Sequence, residues 1–254
     1  MRKPILIISL LLFTLTVFAQ TERPRNLTSF DSKRIHFGFT VGVNLMDMGF
    51  TRNYDYEPQS SGEEFGYADL NQLQPGFQVS IVSDLRLSEN WNLRFLPGIS
   101  FGSREIWFYE YDAGVVGDPV GDPVEIPNVS NPVPLGPAFL DFPMHFKYRS
   151  KRVNNYRPYV VGGLNFRYDM SAKKPGVYDG DSDEYLKFKR GDLYFEFGFG
   201  LDNYLKYFKF APEIKGAVGL MNMIDPDGRN PHPEFANSIS YARSYIIMLN
   251  FHFE

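Results

Sequence analysis

No cysteine occurs anywhere in the 254 residues. Disulfides are therefore excluded, and so is a lipid anchor of the kind that needs a cysteine to carry it. Long apolar runs are almost as scarce. The one present, residues 5–18, follows Arg2 and Lys3 and ends in Val17-Phe18-Ala19. That is the charged start, apolar middle and small-residue exit of a secretory signal. At about 14 residues the run is short for a spanning helix, which needs about 20. Cleavage is expected between Ala19 and Gln20. Beyond it no apolar run approaches that length, so the helical class of membrane protein is excluded. The net charge is only −4, without the basic excess of a nucleic-acid binder. Missing too are the G-x-S-x-G elbow, the phosphate loop and the dinucleotide fingerprint.

Aromatic residues, by contrast, make up 17% of the chain, with 24 Phe and 16 Tyr. Many of them sit in alternating patterns. In residues 36–45 the odd positions are Phe37, Phe39, Val41, Val43 and Leu45, and the even ones His36, Gly38, Thr40, Gly42 and Asn44. Successive side chains of a strand point to opposite faces, so this period of two means a strand with one wholly apolar face. The same pattern recurs and predicts strands at about 36–48, 75–87, 92–109, 138–149, 157–170, 191–202, 206–220 and 240–253. The connections alternate long and short; residues 51–72 are read as a polar loop and 110–137 as the longest loop, where the prolines exclude helix and central strand. An even strand number with loops sorted by parity is the signature of an eight-stranded antiparallel up-and-down transmembrane β-barrel, with long external loops and short periplasmic turns. The expected organisation is a signal peptide over 1–19, an exposed periplasmic lead-in over 20–35 and the outer-membrane barrel over 36–254.

The faces decide which solvent each side meets. The apolar faces carry almost no charge, and Arg or Lys on a lipid face costs about 2–4 kcal/mol at the bilayer midplane. The opposite faces carry Asp84, Arg86, Arg94, Asp141, His145, Lys147, Arg167, Glu196, Lys209, Glu213 and Lys215, among Gly, Ser and Asn. Eight strands enclose an interior just wide enough for side chains to fill. These eleven residues are therefore expected to cross a closed lumen as an ion-pair network, since buried charges need partners. The competing reading is a soluble lipocalin-like barrel of reversed polarity. Tyr109, Tyr148, Tyr168 and Tyr241 near strand ends fit interfacial girdles. Phe251 and Phe253 in the eighth strand resemble an outer-membrane insertion signal, with Glu254 as a departure from it.

Candidate chemistry is thin. Asp179, Asp181 and Asp183 are spaced as in a calcium loop, but Glu184 and Arg190 occupy the positions where an EF-hand needs Gly and Glu. His36 and His252 belong to strands expected to meet, and two histidines without a carboxylate set make a weak metal site. His145, near Asp141 and Lys147, fits the ion-pair network. Ser244 and His252 share a strand face eight residues apart, roughly 26 Å at strand rise, too far for a Ser–His contact. No enzymatic activity, cofactor, metal, nucleic acid or small-molecule substrate is expected.

Residues 26–48 read NLTSFDSKRIHFGFTVGVNLMDM. The residues Lys33, His36, Phe37, Gly38, Phe39, Gly42, Asn44, Met46 and Asp47 resemble the first strand of the PorT family of outer-membrane barrels, called SprT in gliding bacteria. The motif covers about a tenth of the chain, and the rest is similar only in architecture. The resemblance implies a component required for type IX secretion, which exports proteins bearing a C-terminal sorting domain across the outer membrane. Other secretion-system proteins and outer-membrane lipid are the partners it implies, and no catalytic residue comes with it. Periodicity alone leaves two alternatives open, a generic structural or adhesive small barrel and a lipid-modifying outer-membrane enzyme.

Overall fold

The structure is a computed structural model that describes residues 25–52, 66–70, 74–102, 104–110, 133–135, 138–170, 189–224 and 239–254. The expected signal peptide with its Ala19–Gln20 junction and the aspartates at 179, 181 and 183 lie outside these residues.

Among the described residues twelve strands form: β1 (Ile35–Arg52), β2 (Gly66–Leu70), β3 (Gln74–Arg86), β4 (Trp91–Phe95), β5 (Gly98–Phe101), β6 (Arg104–Glu110), β7 (Val133–Leu135), β8 (Ala138–Arg149), β9 (Tyr156–Asp169), β10 (Gly191–Tyr204), β11 (Lys209–Gly219) and β12 (Ile239–Phe253). Nine of them make one antiparallel sheet in the order β1-β12-β11-β10-β9-β8-β4-β3-β5, with β1 also paired to β3 and β8 to β5. The sheet is thus a ring. Because β4 and β5 are two halves of one wall segment, the ring has eight staves, as the alternation predicts. β1 closes it against β12, in register from Phe39↔Phe253 to Thr51↔Tyr241. Closure pairs the backbone polar groups between strands and leaves no edge, the condition for a sheet to cross lipid. No helix among the described residues is long and apolar enough to cross a membrane.

Two sequence expectations need correction. The predicted strand 92–109 is broken. Pro97 has no N–H to donate to the ladder, and the chain steps aside at residues 96–97, opposite Pro143 of β8. There Leu96 N–H donates to the Pro143 carbonyl at 3.1 Å and Ile81 N–H to the Pro97 carbonyl at 2.9 Å. Beyond Phe101 the chain leaves the wall as β6 and joins a separate three-stranded sheet in the order β2-β6-β7. The stretches 51–72 and 110–137, read as loops, therefore contribute β2 and the edge strand β7, the latter within what the prolines allow. Pro134 in β7 is compatible with this because β7 is the edge strand, where a missing donor is tolerated.

Burial is inverted relative to a water-soluble protein. Phe37 is 69% exposed, Ile81 62% and Phe199 58%, whereas Arg94 and Lys147 are 0% exposed. The outward apolar band meets lipid, and the polar faces fill the interior. The short connections, at residues 87–90, 150–155 and 205–208, lie at the periplasmic end, where Leu205 N–H closes on the Phe208 carbonyl at 3.0 Å.

Candidate functional site

Among the described residues, buried charge concentrates in the lumen. Its hub on the periplasmic side is Arg94 of β4, which lies 3.3 Å from Asp84, 3.2 Å from Glu213 and 3.5 Å from Glu254. Asp84 is held in turn by Asn92. Lys147 donates to both Asp202 oxygens, at 2.8 and 3.0 Å, and its ammonium sits 3.7 Å from the centre of the Tyr159 ring. Lys209 bonds Glu254 at 2.7 Å, and the Tyr159 hydroxyl donates to Glu213 at 3.0 Å. Midway up, Glu196 receives Lys215 at 2.5 Å, lies 2.7 Å from His145 Nε2 and accepts from Asn165 at 2.8 Å. Towards the external end, Arg167 grips Asp141 with two nitrogens, at 2.6 and 3.2 Å. An apolar layer of Met46, Phe139, Tyr194, Ala217, Ile246 and Met248 lies beside that pair.

A charge so deep needs a partner on each side, and alternation supplies them by sending every second residue inward. Room comes from small residues. Gly42 stands in register between Gln78 and Asn250, and the Gln78 amide donates to Asn250 across it. A Cβ at Gly42 would collide with the Asn250 side chain and come within 2.9 Å of the Leu249 carbonyl. A cavity of about 20 Å³ remains, bordered by Thr40, Gln78, Asn165, Glu196, Lys215 and His252, room for about one water molecule. Thr40 Oγ1 lies 2.6 Å from His252 Nδ1, and His252 Nε2 3.3 Å from Glu213. Hydroxyl, imidazole and carboxylate in that order can form a nucleophilic relay. Here Thr40 is 2% exposed and borders the small cavity.

The periplasmic mouth is covered by residues 25–34. Asn26 N–H donates to Asn155 Oδ1 at 2.8 Å, and its amide donates to the Tyr204 carbonyl at 3.1 Å. Phe30 stacks on His36 at 3.8 Å between ring centres. The Asp31 carboxylate lies 2.9 Å from Arg152 and 3.4 Å from Arg157, and Tyr204 donates to it at 3.1 Å. Most of the described lead-in residues are exposed, as expected, but Asn26, Phe30 and Asp31 anchor the segment to the barrel. That expectation rested on missing periodicity, but contacts made by single residues across the sequence need none.

Residues 18–225 match the family described as outer membrane protein beta-barrel domain. The chain belongs to that family. It is an outer-membrane protein, and its lumen is that of a small outer-membrane barrel. The solved structure of the outer membrane protein OprG from Pseudomonas aeruginosa is similar at a TM-score of 0.40 and 9% identity, over 86% of this chain and 91% of that one. No curated protein matches the chain in sequence.

Ten of the eleven charged residues expected inside this outer-membrane barrel are buried there in ion pairs or hydrogen bonds. Arg86 is the exception. It falls at the end of β3, half-exposed, and donates to the backbone carbonyls of Asp31 and Ser88, because the strand ends before its side chain reaches the lumen. Sequence reading left out Asp202 and Glu254, although Asp202 continues the inward face of Glu196. Glu254, a departure from an insertion signal, is a lumen ligand of Lys209 and Arg94. His36 and His252 have different partners, and no group of three metal-binding side chains forms among the described residues. Ser244 donates to Met223 Sδ at 3.0 Å.

Proposed function

We propose that this barrel is a PorT-type accessory of type IX secretion that works without catalysis, by docking other secretion-system proteins at its two ends. The observation that carries this reading is the filled lumen. Charged and polar side chains cross the lumen, and the cavity left among them at mid-barrel holds about one water, too little for a protein to pass, which points to the ends and the outer wall as working surfaces. The secretion-specific part rests on the resemblance of Lys33, His36, Phe37, Gly38, Phe39, Gly42, Asn44, Met46 and Asp47 to the PorT first strand. Several of these positions have specific tasks in β1: Gly42 makes room for Gln78 and Asn250, Met46 joins the apolar layer, and Asn44 donates to the Phe101 carbonyl at 3.3 Å. A plain structural barrel is the second reading, favoured by the family match alone.

Deletion of the gene separates the readings. Loss of secreted cargo with unchanged lipid A supports the secretion role. Altered lipid A acylation would instead point to a lipid-modifying enzyme, and normal secretion with normal lipid A to a structural barrel.

A further inference from the structure

Three arginines, Arg149, Arg152 and Arg157, gather at the periplasmic mouth around one bonded carboxylate. Arg149 and Arg157 are 2% and 8% exposed, and the Arg152 side chain 7%. Arg149 stands opposite Tyr159, two residues from Arg157 on the same face of β9. One carboxylate, that of Asp31, is bonded to Arg152 and Arg157, while Nε of Arg149 is buried with no hydrogen-bond partner. Around the mouth Arg25, Lys33, Arg34, Lys151 and Lys206 are exposed, against a single exposed acid in the short turns, Glu89. This cationic end belongs to a chain whose net charge is −4.

What occupies the site shows the chemistry it accepts. Arg152 donates to the Asn26 carbonyl at 2.5 Å, Arg86 to the Asp31 carbonyl, and Tyr204 to the Asp31 carboxylate. Carboxylate plus main-chain carbonyls is the signature of a peptide. A phosphate or a lipid headgroup would satisfy the first set of donors and not the second. The Asp31 side chain is still 33% exposed, so a competing carboxylate reaches the arginines without opening the lumen.

We propose that the periplasmic mouth is a recognition site for an acidic peptide segment of a periplasmic protein, occupied in cis by the lead-in around Asp31. This names the partner chemistry for the docking proposed above and rests on that reading. Its test uses purified chain, so its failure leaves the secretion assay untouched. The full chain is folded in detergent micelles and titrated with a fluorescent peptide of residues 26–32, and with the same peptide carrying Asn for Asp. An Asp31→Asn chain, whose own lead-in competes less well, is expected to bind the Asp peptide about tenfold tighter than wild type, equivalent to about 1.4 kcal/mol. The Asn peptide should bind neither chain, and Arg152→Gln added to Asp31→Asn should abolish binding. Asn26→Ala in the chain, which removes the lead-in's own side-chain hydrogen bond to the Tyr204 carbonyl and keeps the arginines, is a second variant with a smaller expected gain. Folding of each variant is checked by a heat-dependent gel shift. Equal binding of the two peptides, no binding by either folded variant, or displacement of the peptide by equimolar inorganic phosphate would overturn the proposal.

Discussion

Arg94 shows what a single residue does in this interior. It has no exposed surface and answers three carboxylates, Asp84, Glu213 and Glu254. Replacing it with Leu removes the ion-pair partner of Asp84 and one partner each of Glu213 and Glu254, and breaking a buried pair from one side costs about 3–5 kcal/mol. The expected result is a large drop in the urea concentration at which the heat-modifiable form is lost. Gly42 makes the converse point. Gly42→Val drives a branched side chain into the Gln78–Asn250 bridge, and overpacking of this kind costs about 1–3 kcal/mol, read in the same assay. On the outer wall, Val41→Arg places a charge in lipid at a cost of about 2–4 kcal/mol near the midplane. A water-facing wall would tolerate that change. The lumen charges were legible one by one because alternation assigns each to a face. Their pairing was not, since partners such as Lys147 and Asp202 are 55 residues apart and meet only after the ring closes. Asp202 and Glu254 were not counted among the lumen charges because both lie near strand ends, where alternation gives the weakest signal.

Among the elements, the staves differ in continuity. The β1–β12 ladder runs unbroken over most of both strands, whereas the partner of β3 is interrupted at residues 96–97. Amide hydrogen exchange is expected to be faster for β4 and β5 than for β1 and β12, because exchange follows local opening. Equal protection would mean that the break does not weaken the wall. The staves themselves were readable because period two persists through every one of them. The break was hidden for the same reason: Leu96 follows Arg94 in parity and points inward, 4% exposed, so the alternation runs straight through Pro97. The docked lead-in has no period at all. Its anchors, Asn155 and Tyr204, are far from Asn26 in sequence, so no local pattern announces them.

For the whole molecule, an inside-out sheet closed on itself turns an apolar exterior into a membrane-spanning wall and a charged interior into a core. That core is held by paired ions where a soluble protein would use apolar packing. The lipid-facing band fixes the barrel in the outer membrane, and with the interior occupied the proposed docking would fall to the ends. Conductance of the refolded protein in a planar lipid bilayer tests this most directly. Insertion without stable conductance steps is the expected result. Reproducible open-channel steps would contradict a filled lumen, and with it the reading of this barrel as a docking component.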